Sequence, residues 1–391
     1  MFIDILISFA QILKHILMGK RPDVLLYFPQ HFNRSAKGTN PYFEPIIEIC
    51  KESGLKYLMM EEPDRDTSRP RDPQCMKADF LFWIIIVMRK IIHLMYKGKP
   101  WHDVDTIIAH IVDLFTFHRF RAKKYITISN SMIDVLAELN PTGVAYDYQH
   151  GIIFFGHLGY FGENGLISPS YTLLNRRIML WGPLYEQCFE KVISPAIVEK
   201  QIKVVGYPIP TSQIESKERT KIVVCLQFRS EGTEDLFINM REMLCECLEV
   251  LKNYRYQVLL KHHPRFNNVT DLTDILQKYP FAEFTDRQLE DLATEAFLHI
   301  TWNSTTCFEY ANYSIPTFFL TDSRVDWGEK TFYEQYHYPL YRGQNLHFAM
   351  SRIQDEAVYT ADCNTVKNWY TSAYAPLDKE QLMQILSSSE E

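Results

Sequence analysis

Apolar residues recur along this chain in two rhythms. Short, nearly continuous apolar runs alternate with longer stretches in which apolar residues return every third or fourth position. The first pattern predicts buried strands and the second amphipathic helices. Strands are expected at 23–28, 55–60, 124–129, 143–148, 177–181 and 202–205, with helices at 42–53, 78–97, 104–117, 132–139 and 184–192. A charged, proline-containing loop occupies 63–73, and a linker of Pro, Ser, Thr and charged residues occupies 210–219. The rhythm then restarts, with strands expected at 221–228, 256–261, 281–284, 298–301 and 316–320 and helices at 235–251, 272–278, 289–296 and 304–313. A last helix is expected at 378–386. Strands alternating with helices predict parallel sheets joined by right-handed crossovers. The fold class is therefore α/β. Two such blocks predict two Rossmann-like domains facing each other across a cleft, 1–210 and 211–363, followed by a C-terminal helical tail at 364–391.

Composition narrows the function. The chain has 391 residues, 46% hydrophobic and 23% charged, with Tyr 23 and Phe 25, which is the profile of a packed globular protein. A net charge of −7 gives no general attraction for nucleic acid, so any anion site must be local. The eight cysteines show no metal-ligand spacing. Cys245 and Cys247 lie two apart within a helical pattern and point to different faces. Reduced thiols and a cytoplasmic location follow. Residues 2–18 and 80–88 are strongly apolar. The second is too short to span a bilayer, and the first has its positive charges, Lys14, Lys20 and Arg21, mainly after the apolar part, which a secretory signal does not. Each is read as a core helix or as a face lying on the membrane.

Chemistry concentrates at the carboxyl ends of four expected strands. Lys261-His262-His263-Pro264 follows one, and Thr301 to Glu309, rich in hydroxyls, follows another and opens a helix. Two strand ends facing one crevice, one cationic and one with hydroxyls and helix N–H groups, suit a nucleotide's phosphates. Ser304 and Thr305 would stand in the helix's first turn, where plain capping is the alternative, and Glu309 one turn on would take ribose or base hydroxyls or face solvent. Strand alternation turns His262 and His263 to opposite faces, so one of them faces the cleft. Arg229 follows the strand at 221–228 and is read as a second cation at the phosphates or as a surface residue. His150 ends the strand at 143–148 and precedes Gly151; it is placed as a general base, or as a structural histidine bonded to a loop carbonyl. Asp147 would orient His150, act as the base itself, or cap a turn.

Absent motifs exclude other classes. There is no P-loop, no dinucleotide fingerprint, no nucleophile elbow and no zincin motif. Two D-x-D patterns, Asp64 with Asp66 and Asp103 with Asp105, follow no expected strand directly and are read as solvated acids. No metal or other cofactor is implied.

The motifs in order are Gln149-His150-Gly151 with Gly156 and Gly159-Tyr160, then Gly206-Tyr207-Pro208, Lys261-x-His263-Pro264, and Ser304-Thr305 with Glu309 and Pro316. That order resembles bacterial surface-polysaccharide transferases of GT-B architecture. These include the CDP-glycerol glycerophosphotransferases of teichoic acid and related capsule and lipopolysaccharide glycosyltransferases; the H-P and Ser/Thr elements are similar to those of bacterial sialyltransferases. The resemblance covers roughly 147–320. It implies that His150 takes the acceptor hydroxyl's proton, that His263, Ser304 and Thr305 hold the donor phosphate, and that Glu309 contacts the nucleoside. It implies a CMP-, CDP-, UDP- or GDP-linked donor and a glycan or lipid-linked acceptor; peripheral contact with the inner membrane is an expectation that rests on the apolar residues 2–21 alone. Gln149 stands where the teichoic-acid enzymes usually show Trp, Ile209 where they often show Arg, and Asp147 is the single acid of a sialyltransferase-like pair. The expected activity is metal-independent glycosyl transfer. Polyol-phosphate transfer, nucleotide-sugar epimerisation and a non-catalytic assembly subunit are the competing readings.

Overall fold

The computed structural model describes residues 2–35, 37–64, 67–154, 157, 159–161, 166–173, 175–209, 218–228, 234–263 and 271–388. The chain forms two compact units, one of residues 1–210 with 374–391 and one of residues 211–373.

The first unit is built on a seven-stranded sheet of β1 (Val24–Pro29), β2 (Tyr57–Glu62), β3 (Met76–Lys77), β4 (Lys124–Ile128), β5 (Val144–Tyr148), β6 (Arg176–Leu180) and β7 (Ile202–Val204), in the order β3-β2-β1-β4-β5-β6-β7. Every pairing is parallel. Parallel strands are covered on both faces and so read as continuous apolar runs; β1, β4 and β5 are buried along their whole length. From β1 the chain builds outward to β2 and β3, then returns to the other side of β1 at β4. The loops after β1 and β4 therefore diverge, and a crevice opens at their carboxyl ends.

The second unit repeats the plan with β8 (Lys221–Cys225), β9 (Gln257–Lys261), β10 (Ala282–Phe284), β11 (Ala296–Thr301) and β12 (Thr317–Phe319), parallel and in the order β10-β9-β8-β11-β12. Val223, Cys225, Leu259, Leu292, Ala296, Tyr310 and Ile315 share one core cluster on this sheet. The direction of growth reverses between β8 and β11. Both units are thus Rossmann-like, as the alternating pattern predicts.

Several elements are absent from the sequence reading. β3 is two residues long, too short for any periodicity. The pattern predicts neither Pro195–Gln201 nor Leu346–Arg352, and of Glu356–Ala373 only the part from 364 on falls in the expected helical tail. The last buries only Asp362, Cys363, Val366, Trp369, Tyr370 and Ala373 of its eighteen residues, so its apolar stripe is thin. The segment 364–391 divides: residues 364–373 finish that helix in the second unit, and residues 374–391 return to the first. The return is fixed at Gly206, whose φ is +87° and where a Cβ would stand 2.2 Å from the Pro376 carbonyl oxygen. Tyr207 N–H donates to the Ala375 carbonyl, and Asp378 N–H to that of Val205. Gly206-Tyr207-Pro208 is therefore a docking strip for the returning chain.

Three packed helices of the first unit, Phe2–Met18, Asp79–Met95 and Trp101–Phe115, expose an unusual amount of apolar surface. Phe2, Leu17, Met18, Leu94, Met95 and Phe115 are each about 70% or more exposed. Only Ser8 and Ile12 of the first helix are buried. Among the described residues no helix is long and apolar enough to cross a membrane. All eight cysteines are free, and all but Cys245 are buried.

Candidate functional site

In the first unit the candidate residues gather at the carboxyl ends of β1, β2, β4 and β5. His150 stands two residues beyond β5, partly buried. Its ring meets Phe32 edge-on, with centroids 5.7 Å apart, and lies 6.0 Å from the ring of His157. Its Nδ1 is buried without a hydrogen-bond partner. Burial, reinforced by His157, His31 and Arg34, pushes its pKa down to about 4, so the imidazole is neutral at neutral pH. The turn that carries it is held by Gln149, whose amide donates to the Gly151 carbonyl at 2.8 Å and accepts from Trp181 N–H at 2.8 Å. The glutamine at this position is a staple between the ends of β5 and β6.

Asp147 does not touch His150 through any hydrogen bond of the described residues. It is fully buried; its oxygens accept from the Tyr160 hydroxyl at 2.6 Å and from Asn130 N–H at 2.9 Å. Burial raises its pKa to about 7. Its work is to pin the loops after β4 and β5 to one another.

Two residues missed in the sequence join this region. His31, just after β1, has Nδ1 2.5 Å from Oδ2 of Asp64, just after β2. The side chains are 37% and 20% exposed, so Asp64 is a partner of a histidine and not a solvated acid. The reading fails because β2 runs to Glu62, two residues past its expected end, and brings Asp64 to the strand terminus. Asp105 also departs from that reading: it is 4% exposed and paired with Arg89 at 2.7 Å. His157, half-buried with its pKa lowered by burial, packs between His150 and Tyr160. Its signal was the density of histidine and aromatic residues after the strand at 143–148.

In the second unit the candidates are spread along the sheet edge. Lys261 ends β9 and Ser304 follows β11, but β8 lies between these strands, so their ends stand roughly 10 Å apart at two strand spacings. The Lys261 ammonium donates to the Arg287 carbonyl at 2.6 Å, towards β10 and away from β11. His262 stacks on Phe284 at 4.4 Å, while His263 is half-buried just beyond β9. The helix after β11 is Thr306–Asn312 and begins two residues later than the sequence reading; Thr305 occupies its N-cap without a side-chain cap, and Ser304 Oγ accepts from Thr306 N–H at 3.3 Å. The side chains of Thr305 and Glu309 are exposed. Gln227 ties the ends of β8 and β11: its side-chain oxygen accepts from Thr301 Oγ1 at 3.1 Å and from Asn303 N–H. Arg229, Pro264, Gly156 and Asp66 lie outside the described residues. A cavity of about 780 Å³ beyond β12, with Asp322, Tyr333 and His347 in its wall, contains none of the candidates. Among the described residues no group of three or more His, Cys, Asp or Glu side chains is placed to hold a metal ion.

Comparison with known proteins places the fold. No protein-family model matches the chain, and no curated protein matches it in sequence. Solved structures do match. The UDP-GlcNAc 2-epimerase of Neisseria meningitidis, solved with UDP-GlcNAc, is similar over 93% of this chain and 99% of its own, at 11% identity and a TM-score of 0.53. The glycotransferase of kitacinnamycin is similar over 95% and 99%, at 9% identity and a TM-score of 0.50. The wall teichoic acid polymerase TagF is similar over 98% and 96%, at 12% identity and a TM-score of 0.47. The chain has a GT-B-like α/β fold. That statement rests on the first two likenesses and on the two Rossmann-like sheets; at these identities likeness speaks for fold alone.

Proposed function

We propose that this protein is a transferase that moves a sugar from a nucleotide-activated donor to a glycan or lipid-linked acceptor of a bacterial surface polysaccharide, without a metal. The observation that carries the reading is His150, a neutral imidazole with an unpartnered buried nitrogen at the carboxyl end of a central strand. It accepts the proton of the acceptor hydroxyl as the oxygen bonds to the sugar's anomeric carbon. The bond from that carbon to the donor's phosphate oxygen breaks, and its electron pair leaves with the nucleotide. His263, Ser304 and Thr305, with Arg229, hold the departing phosphate, and Glu309 contacts the nucleoside; Lys261, turned to the Arg287 carbonyl, is left out of this set. A base of such low pKa works towards the lower end of the roughly 10²–10⁴-fold range of general-base catalysis.

A second reading, transfer of a polyol phosphate from CDP-glycerol or CDP-ribitol, uses the same residues and is favoured by the order of the motifs around His150, Gly206 and His263. The test is a melting-temperature screen against CMP, CDP, UDP, GDP and their sugar and polyol conjugates. Ligands that bind the folded state raise the melting temperature by mass action. A rise with one nucleotide family supports the reading, and the conjugate that acts best selects the chemistry. A well-folded sample indifferent to all of them overturns the donor site and favours a non-catalytic assembly role.

We infer further that the outward side of the helices Phe2–Met18, Asp79–Met95 and Trp101–Phe115 lies on the anionic inner face of the cytoplasmic membrane. Exposed Lys14, Lys20, Arg21, Lys90, Lys97 and Lys99 accompany the exposed apolar side chains. On these helices Asp4 is paired with Lys77, Asp79 with Arg71, Asp105 with Arg89 and Asp113 with Arg121, which leaves Asp103, beside His102, against the six exposed cations in a chain of net charge −7. Apolar side chains rimmed by lysines are the chemistry of interfacial binding to anionic lipid.

A further inference from the structure

The crevice at the first unit's switch point has a volume of about 810 Å³, and its wall includes His31, Glu62, Asp64, Trp83, Ser129 and Ser131. None of these residues belongs to the motifs that suggested the transferase. Three independent features mark it as a built site.

The first is the pair His31–Asp64, 2.5 Å apart across the ends of β1 and β2. A carboxylate only accepts, so it holds a hydrogen on Nδ1 and leaves Nε2, on the far side of the ring, for a ligand. The second is the loop after β4. Ser129, Asn130 and Met132 have φ of +64°, +56° and +53°, a state that residues with side chains rarely adopt. The loop is held there by Asn130 N–H donating to Asp147 at 2.9 Å, Ser131 Oγ donating to Glu62 at 2.6 Å, and Thr127 Oγ1 donating to the Ser131 carbonyl at 2.6 Å. The buried Asp147 thus acts on the crevice wall. The third is charge. Asp4, Glu62, Asp64 and Asp79 line the crevice with Arg71; Asp4 is paired with Lys77 at 2.7 Å, and Arg71 is already bonded to Glu61 at 2.9 Å and to Asp79, so the lining offers an anion no uncommitted guanidinium.

Such a wall repels a phosphate and suits hydroxyls. Carboxylates accept from alcohol O–H groups, serine hydroxyls donate or accept, and an indole packs on the C–H face of a sugar ring. We propose that this crevice is a subsite for an uncharged polyhydroxylated group, a sugar or polyol, held by His31–Asp64 and the Ser129 and Ser131 hydroxyls, and that it rejects phosphorylated ligands. As the acceptor's seat it rests on the transferase reading. The Phe32 ring packs against both imidazoles, 4.3 Å from His31 and 5.7 Å from His150 between centroids, so one buried ring couples the crevice wall to the general base.

The test is saturation-transfer NMR on the full chain with glycerol and the methyl glycosides of glucose, galactose and N-acetylglucosamine, each against its phosphorylated counterpart. Transfer to at least one neutral ligand, with little to its phosphate ester, is expected. Asp64→Asn and His31→Ala should each weaken it about tenfold or more, the effect of losing a hydrogen bond to a charged group or its oriented partner. A measurement on unaltered protein guards against misfolded variants: with ¹³Cε1-labelled histidine, the His31 resonance should move as the neutral ligand is added. Equal transfer to the phosphate ester, unchanged binding in both variants, a stationary His31 resonance, or silence across the panel each overturns the subsite. The nucleotide melting screen is separate. Sugar binding without any nucleotide response would leave the subsite standing and remove the transferase reading; the reverse pair would do the opposite.

Discussion

The Tyr160 hydroxyl donates to the Asp147 carboxyl at 2.6 Å, and both side chains are almost wholly shielded from water. The bond joins the segment after β5 to the strand itself, and the same carboxyl also receives Asn130 N–H at the end of β4. One buried acid therefore organises the carboxyl edge on which His150 stands.

Asp147 should impose a pH dependence on stability. Burial lifts its folded-state pKa to about 7 from an ordinary 3.8. The folded chain then holds a proton that the unfolded chain releases. The stabilisation is fully present below about pH 4 and is lost as pH rises through about 7, at no more than about 1.4 kcal/mol per pH unit. Asp147→Asn does not titrate, so its melting temperature should gain on the wild type by a few degrees between pH 5 and 7. A difference that stays constant with pH would show that Asp147 is ionised throughout.

Gly206→Ala should weaken the first unit. A side chain there combines left-handed backbone with a 2.2 Å approach to the Pro376 carbonyl oxygen. A loss of about 2–4 kcal/mol is expected. Limited proteolysis should then cut at 374–391 in the variant sooner than in the wild type. Equal cleavage rates would show that the returning chain is held elsewhere.

The two histidines assigned to transfer should separate. His150→Ala should abolish transfer and leave nucleotide binding nearly intact. His263→Ala should weaken nucleotide binding as well, read as a smaller rise in melting temperature at the same nucleotide concentration. Full activity in both variants would sink the assignment.

Membrane contact should depend on the exposed apolar side chains and on salt. Replacing Leu17, Leu94, Met95 and Phe115 with Ser touches residues at least 68% exposed, so folding should be little affected. Flotation with phosphatidylglycerol vesicles should be lost in that variant and reduced for the wild type at high salt. Vesicle binding that ignores the substitutions would remove this face from the proposal.

The sequence by itself determined the α/β class and most of the strands. Runs such as 124–129 and 143–148 match Lys124–Ile128 and Val144–Tyr148 because a buried parallel strand needs a local apolar run, whatever its neighbours are. It also marked His150 at a strand end. Local pattern could not see the start of the helix Glu356–Ala373, whose apolar stripe is thin, or β3, which is two residues long. Strand order is a property of distant pairings. Only the tertiary structure put β8 between β9 and β11, which parts Lys261 from Ser304. The same holds for His31 and Asp64, 33 residues apart in the chain and brought into contact because β1 and β2 are neighbours in the sheet. The chain's periodicity encodes which residues are buried; which polar residues meet at the strand ends is decided by the order in which the strands assemble.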